Sequence, residues 1–550
     1  MIDEFILPAF EHIIRQKGWE GIATLFFEKP KIASHGELAT AVAMSLAKPL
    51  RRAPRSIAEE IVAELKFPEN IVESAEIAGA GFINLRLGTE FYLGTIRNML
   101  RLLPGGYGRN QSGAGKRVNV EYVSANPTGL LHVGHGRNAC IGDTVANLYE
   151  WSGYDVTREY YFNNAGNQMN MLAKSVYARY RQRCEPDFPM PEDGYQGDYI
   201  REIAAEAANK YGNSLNELTP ENLEICRKEG EAWCFAAISR TLERLGVKHD
   251  TYFNEDSLYS NGKIKELLDE LREKDLSYEK DGAVWLRFSR IDETLQDRVI
   301  VKSSGEPTYR LPDIAYHKNK LERSFDIIAD IFGADHIAAI PDVIAAIKAL
   351  GLDYQRIKPL IYQFVTLTQG GEQVKMSKRT GKSYTLDDLI EEFGADVTRF
   401  FFVMRGINTP LEFDIDLAKD QSDKNPVFYL QYAHARVCSL FAQAAQRNIA
   451  SGVTAEMPML HDVNHRELTQ VLARFPQIVQ KAAANSEPQL IADYLRETAT
   501  EFHTFYHNCP CLRDDVPAEL RTARLALSNI TQEVLRNGLA ILGISAPERM

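Results

Sequence analysis

The sequence predicts an α/β protein with a parallel sheet wound by helices at its centre, an α+β region before it and an all-helical region after it. Three observations predict this. Strand-like and helix-like segments alternate over about residues 111–419, a strand-like run stands among helices near the N-terminus, and strand patterns stop beyond about 420. At 550 residues the chain is too long for one ordinary core, so roughly two to four domains are expected.

The first region, 1–110, opens on "MIDEFILPAFEHIIRQKGW". Acids stand where a signal peptide would be basic, and Ile6, Phe10, Ile13 and Ile14 follow helical spacing, which predicts an amphipathic helix. "GFINLRL" (Gly81–Leu87) reads as a strand. The glycine-rich "LPGGYGRNQSGAGK" (Leu103–Lys116) reads as a connector and domain boundary.

The central region, 111–419, begins with the strand-like "VNVEYV", a helix after His135 and the strand-like "DVTREYYF" (Asp155–Phe162). From about 165 to 280 the chain is polar and mostly helical, with a loop at 190–199, and reads as an insertion. Strand-like runs resume with "GAVWLRF", "DRVIVKS", "FDIIADIFG" and "PLIYQFVTLTQ", the last at 359–369. In the final region, 420–550, Leu468, Val471, Leu472 and Phe475 predict one amphipathic helix, and Leu520, Ala523, Leu527, Ile530 and Val534 another. There is no internal repeat, no low-complexity tract and no apolar run of membrane-spanning length, so a cytoplasmic protein is expected.

Seven scattered cysteines without a CxxC suggest neither a zinc site nor a disulfide framework, and fit a reducing compartment. The net charge of −12 at first argues against a nucleic-acid partner. Its distribution softens the objection, and charge alone decides nothing. Lys+Arg and Asp+Glu balance 13 to 13 in residues 1–110 and 12 to 13 in 421–550, which leaves −11 for 111–420. Neutral ends can carry basic faces, and an acidic centre suits a cationic small substrate.

The candidate chemistry lies in two segments. "VEYVSANPTGLLHVGHGRNACIGD" sets His132, Gly134 and His135 where a strand hands over to a helix. Free N–H groups and the helix dipole make such a place an anion site, two imidazoles add donors, and Gly134 lets a flat ring approach the backbone. On local sequence a satisfied histidine pair at a loop end is an equal reading. "VKMSKRTGKS" (Val374–Ser383) carries Lys375 and Lys378 in a Ser/Gly/Thr-rich loop between a strand-like and a helix-like run. Alone it reads as a solvated turn. Together, on either side of an insertion, the two segments point to ATP attacked at its α-phosphate.

The pair "HVGH" and "KMSKR" resembles the signatures of class I aminoacyl-tRNA synthetases. "GEPTYRLPDIAYH", "NPVFYLQYAHARVCSL", the text around the first signature and the terminal "SAPERM" are similar to the arginyl-tRNA synthetase family. The resemblance runs from the N-terminal region to Met550. It implies a Rossmann-like catalytic domain, an N-terminal domain that grips the tRNA elbow and a C-terminal domain that binds the anticodon. It also implies an ATP set of His132, Gly134, His135, Asn138, Gly333, Asp335, Lys375, Met376 and Lys378, with His132, His135, Lys375 and Lys378 catalytic. The implied arginine set is Glu121, Ser124, Asn126, His135, Tyr309 and Asp313. For Asp313, capping of the helix that follows is the plain alternative on local sequence. Gln431, Tyr432, His434 and Arg436 are the implied tRNA contacts, although Phe428 and Tyr432 read more readily as core. ATP as substrate, Mg²⁺ accompanying it, tRNA(Arg), L-arginine, activation that depends on bound tRNA and a monomer without zinc complete the implied picture. A small-molecule nucleotidylyltransferase would share the histidine signature but needs neither the insertion nor the helical end. A non-catalytic tRNA-binding paralogue would not need intact His132, His135 and Lys378.

Overall fold

In the computed structural model, which describes residues 1–30, 32–164, 166–291, 294–374, 384–449 and 462–550, the central region builds a five-stranded parallel sheet. Its strands are β1 (Arg117–Glu121), β2 (Asp155–Phe162), β3 (Thr251–Asn254), β4 (Ile327–Gly333) and β5 (Ile357–Tyr362), in the order β5-β4-β1-β2-β3. The chain runs outward from β1 to β3, then returns to the other side of β1 for β4. That reversal opens a crevice at the carboxyl ends of β1 and β4, where open α/β sheets bind ligands.

α1 (Val133–Trp151) and α2 (Arg310–Glu322) pack on opposite faces of the sheet, and α3 (Leu386–Val403) packs on the outside of α1. Strand alternation sends Tyr160 to the core on the α1 side and Tyr161 to the core on the α2 side. α1 is buried nearly all round, between β1 and α3, so it shows no clean amphipathic stripe. Gly142 makes that seating possible, because a Cβ there would lie 2.2 Å from Cβ of Tyr122.

The differences from the sequence reading have local causes. β3, only four residues long, lies inside the range read as an insertion; three helices before it (Asn167–Arg181, Asp198–Tyr211, Pro220–Arg244) share their own core around Leu172, Val176 and Ile203. "GAVWLRF" and "DRVIVKS" do form strands, but in an antiparallel ribbon of Ser277–Lys280, Ala283–Leu286 and Arg298–Val301 outside the main sheet. "PLIYQFVTLTQ" splits into β5 and a strand Val365–Gln369 that pairs with Leu411–Asp414. Leu468, Val471 and Leu472 lie on one helix, Val463–Ala473, while Phe475 opens the next, Phe475–Asn485, where Pro476 sits in the first turn. A proline there has no N–H to continue the preceding helix.

Among the described residues beyond 420 every regular element is helical, including α4 (Pro426–Gln446), α5 (Gln489–Asn508) and α6 (Ala518–Ile541). None of the described helices is long and apolar enough to cross a membrane. The largest core runs without a break from β1 and α1 into these helices. Arg399 of α3 ties them together: its buried guanidinium donates to the carbonyls of Leu245 and Leu542, each at 3.0 Å, and pairs with Asp143 of α1.

The N-terminal region has a separate core of Ile6, Phe10, Ile13, Leu46, Ile57 and Ile83, under a three-stranded antiparallel sheet containing Phe82–Leu87. The glycine-rich connector is not where that core ends. Helix Thr89–Arg101 places Phe91 and Tyr92 in the N-terminal core but Leu93, Ile96 and Met99 in the main one. Farther on, Tyr107 is buried, donating its hydroxyl to the Leu472 carbonyl at 2.7 Å.

Candidate active site

The crevice between β1 and β4 holds two joined cavities. The first, of about 600 Å³, is lined by His132, Gly134, His135, Asn138, Gly333, Asp335 and Phe364, among others. The second, of about 570 Å³, is lined by Glu121, Tyr161, Glu255, Tyr309, Asp313 and His317. Ser124, Asn126, Phe332 and His336 line both, so a ligand in one can meet a ligand in the other.

The helix behind the first signature starts at Val133, one residue after His132, which caps it. Nδ1 of His132 accepts the N–H groups of Gly134 and His135 at 3.1 and 3.4 Å, and Nδ1 of His135 accepts the N–H of His132 at 3.3 Å. The two rings stack 3.7 Å apart. Burial lowers both imidazoles from their ordinary value, and His135, which also faces His132, falls to about 3. Neutral rings whose Nδ1 atoms accept must carry their proton on Nε2, so both are donors there. The open face of Gly134 is taken by the His132 ring, whose Cε1 would stand 2.9 Å from an added Cβ. His135, expected in both substrate sets, lines the first cavity and not the second.

Asn138 lines the first cavity and also acts as a buckle. Its Oδ1 accepts the N–H of Val123 at 2.6 Å and its Nδ2 donates to the Ile331 carbonyl at 2.8 Å, which ties the ends of β1 and β4 together. It holds Val123 and Ser124 at φ 68° and 42°. A valine with positive φ is costly, and such strain collects at functional sites. The turn aims the Ser124 hydroxyl, which donates to Glu121 at 2.9 Å and accepts the N–H of Tyr161 at 3.0 Å. Asn126 is exposed at the junction of the cavities, with Nδ2 on Gln168 at 2.6 Å. Gly333 ends β4 and Asp335 follows in a short turn of helix at the rim of the first cavity.

The second cavity is acidic. α2 begins at Arg310 with Tyr309 as its cap residue, so Asp313 lies inside the first turn and does not cap. Tyr309 is 74% exposed at the mouth. Asp313 is half-buried, and burial together with Glu255 and Glu121 pushes its carboxyl up to about 7, against the opposing influence of His317. Glu255 follows β3, accepts the Tyr161 hydroxyl at 2.7 Å and is raised by burial. Beneath them Lys320 bridges Glu121 at 2.5 Å and Asp330 at 2.6 Å, and His317 joins Asp330 at 3.1 Å and the Asp313 carbonyl at 2.8 Å. Burial alone would raise the Asp330 carboxyl, yet Lys320 and His317 hold it well below the usual range. Sequence reasoning missed Tyr161, Glu255, His317, Lys320 and Asp330. A third hollow, of about 690 Å³, adjoins this cavity through Asn163, Glu255 and Tyr309.

Lys375, Met376 and Lys378 lie outside the described residues. On the far side of that segment Thr385 bridges to His132, and the N–H of Leu386 donates to the Leu131 carbonyl at 2.8 Å. On α4, Gln431 and His434 point inward: Gln431 bonds Asp396 at 2.8 Å and the Ser545 carbonyl at 3.1 Å, and His434 bonds the Pro547 carbonyl at 2.9 Å. They clamp the C-terminal "SAPERM", with Nε2 of His434 buried and left without a hydrogen-bond partner. Phe428 packs partly buried against the core, whereas Tyr432 is exposed. Arg436 sits 4.5 Å over the Tyr432 ring and contacts His503 of α5 at 3.0 Å. Among the described residues no group of three His, Cys, Asp or Glu is placed to hold a metal ion.

Residues 98–399 match the family model of the "tRNA synthetases class I (R), catalytic domain", so the wound sheet and its cavities are those of a class I aminoacyl-tRNA synthetase. Residues 9–87 match the "Arginyl tRNA synthetase N terminal domain" and 430–550 the "DALR anticodon binding domain". The chain is 45% identical to the arginine–tRNA ligase of Chlorobaculum tepidum over 99% of its length and all of the relative's. It is 47% identical to that of Chlorobium phaeobacteroides over the whole of both. The Thermus thermophilus arginyl-tRNA synthetase structure shares the fold, with a TM-score of 0.75 over 99% of each chain at 22% identity. The chain belongs to the arginyl-tRNA synthetase family.

Proposed function

We propose that the acidic cavity binds arginine, that the signature cavity binds ATP, and that the enzyme passes the arginyl group to the terminal ribose of tRNA(Arg). The observation that carries this reading is the junction of the two cavities at Asn126, with Asp313 in one and the paired imidazoles in the other. The guanidinium pairs with Asp313 and Glu255, whose burial makes a planar, permanently charged donor the fitting partner. Its α-carboxylate then lies toward Asn126 and Ser124, facing the α-phosphorus.

The carboxylate attacks that phosphorus and pyrophosphate leaves. The Nε2–H groups of His132 and His135 donate to phosphate oxygens as charge develops, and by resemblance Lys375 and Lys378 add cationic donors. No covalent enzyme intermediate is needed, and positioning carries most of the catalysis. Mg²⁺ would accompany ATP, bound mainly by the phosphate oxygens, and Asp335, the one carboxylate among the residues lining that cavity, would be the side chain at hand to it. The terminal adenosine approaches through the third hollow, beside Tyr309. Tyr432 and Arg436 form an exposed aromatic and cationic face for an unpaired base, to which His503 adds a ring. The enzyme is read as a cytoplasmic monomer.

ATP–pyrophosphate exchange tests the reading. Arginine-dependent exchange in the presence of tRNA(Arg), weak without it, is the expected result. Exchange driven equally by other amino acids, or none with arginine and tRNA together, refutes it.

A further inference from the structure

Three buried carboxylates stand side by side across the middle of the sheet. Asp330 of β4 pairs in register with Glu121 of β1, and Glu121 with Glu159 of β2. None is more than 6% exposed, and each bonds a side chain of α2. The middle of a parallel sheet is ordinarily apolar, and like charges on neighbouring strands repel. Such a row is costly unless cations sit on it.

α2 and its C-terminal cap residue supply them. Arg323 donates to both oxygens of Glu159, at 2.5 and 2.8 Å. Lys320, with no exposed surface, reaches Glu121 and Asp330 together. Both ring nitrogens of His317 meet acceptors, Asp330 and the Asp313 carbonyl, so the ring is held as an imidazolium. Burial alone would lower that group, and Asp330 raises it. Three cations balance the row, so the charge offered to a guanidinium is that of Asp313 and Glu255.

Glu121 lines the arginine cavity, and the oxygen that Lys320 does not hold acts there. It accepts the Ser124 hydroxyl at 2.9 Å, while Ser124 accepts the N–H of Tyr161 at 3.0 Å. A hydroxyl has one proton and two lone pairs. With its proton committed to Glu121, Ser124 has one lone pair left for a ligand. The α-carboxylate of arginine cannot use it; the α-ammonium on the same carbon can. We propose that Lys320 is a positioning residue: it fixes Glu121, Glu121 fixes the Ser124 proton, and the serine is kept as an acceptor for the α-ammonium. The inference rests on the arginine reading above and takes Glu121 out of guanidinium recognition.

Glu121→Gln is the test, because it keeps the volume of the side chain. Lys320 still requires an acceptor, so the amide turns its oxygen to the lysine and its N–H groups to Ser124. The serine proton is then driven into the cavity, against the ammonium. Displacement of labelled arginine from the full chain with bound tRNA(Arg) gives the affinities of arginine, citrulline and 5-guanidinopentanoate, which is arginine without its α-amine. The wild type should prefer arginine to the des-amino compound by at least about tenfold, the scale of one hydrogen bond to a charged group. Glu121→Gln should lose that preference and still reject citrulline. Adding Lys320→Met frees the amide to turn its oxygen back to Ser124. The double variant should therefore regain most of the preference, which a merely structural pair would not do. Equal affinities in the wild type, an unchanged preference or relaxed rejection of citrulline in Glu121→Gln, or no recovery in a folded double variant overturns the proposal. If the double variant does not fold, the single one decides alone. Arginine binding and tRNA-dependent exchange by the wild type, read on the same preparation, keep failure of this device apart from failure of the function itself.

Discussion

Asp313 stands half-buried in an acidic cavity with its carboxyl raised to about 7, so near neutral pH it loses a proton to pair with a guanidinium. The sign follows from linkage. Its carboxylate form costs stability as pH rises above the ordinary carboxylate range and toward 7, and bound arginine offsets that cost. The KM for arginine should therefore rise as pH falls below 7, by up to about tenfold per unit, and the thermal shift given by arginine should be larger at pH 8 than at pH 6. A flat KM between pH 6 and 8 would contradict the assignment. His135, neutral down to about 3, contributes no titration there. Lys378 was legible as a triphosphate-reaching candidate from its loop and its pairing with the histidine segment, and its catalytic role came by resemblance; Lys378→Ala should lower the exchange rate by about 10²–10³ with arginine binding nearly intact, the scale of one preorganised donor. An exchange rate within about twofold of wild type would reduce that segment to a solvated turn. The histidine pair was legible because its strand-to-helix setting is local in the chain, whereas Asp313 reads locally as a cap and entered the arginine set only through the resemblance, its cavity neighbours Glu121 and Glu255 being distant in sequence. The sequence hid Lys320 because its partner Glu121 lies 199 residues away and only the fold brings them together.

At the scale of elements, long periodic segments and buried parallel strands were readable, and β2 is found with the limits its pattern predicts. β3 was not, since four residues carry too little alternation, and the antiparallel ribbon reads like any other strand. α1 was legible only in part, because burial on all sides erases its stripe. Its seating is nevertheless what holds His132 over the crevice. Gly142→Ala forces a methyl against Tyr122, and overpacking of this kind costs about 1–3 kcal/mol. The variant should show a lowered melting temperature together with a reduced kcat, as α1 tilts and its cap moves. Loss of stability at full kcat would mean that the cap geometry does not depend on this contact.

Across the whole molecule the three regions are less separate than the sequence suggests. A glycine-rich connector reads as a boundary, yet Tyr107 and helix Thr89–Arg101 are built into the main core. The N-terminal core therefore gives way to the main one inside helix Thr89–Arg101, between Tyr92 and Leu93, a few residues after the family match ends at 87. Deleting residues 1–87 should leave a folded enzyme with weakened tRNA binding, whereas a cut at 102 would also strip Leu93, Ile96 and Met99 from the main core and lower stability. Unchanged tRNA affinity in a folded 88–550 chain would remove the N-terminal region from tRNA recognition.

The central claim is that the acidic cavity reads the charge of arginine through Asp313, and citrulline, which has nearly the same shape without the charge, tests it most directly. kcat/KM for arginine and for citrulline should be measured in tRNA-dependent exchange for the wild-type enzyme and Asp313→Asn. The account predicts efficient use of arginine and none of citrulline by the wild type, with an Asp313→Asn variant whose melting temperature is not lowered. That variant should lose about 2–4 kcal/mol in kcat/KM for arginine, the scale of truncating a buried charge pair, and discriminate poorly between the two. Near wild-type arginine kinetics and intact discrimination in Asp313→Asn would contradict it.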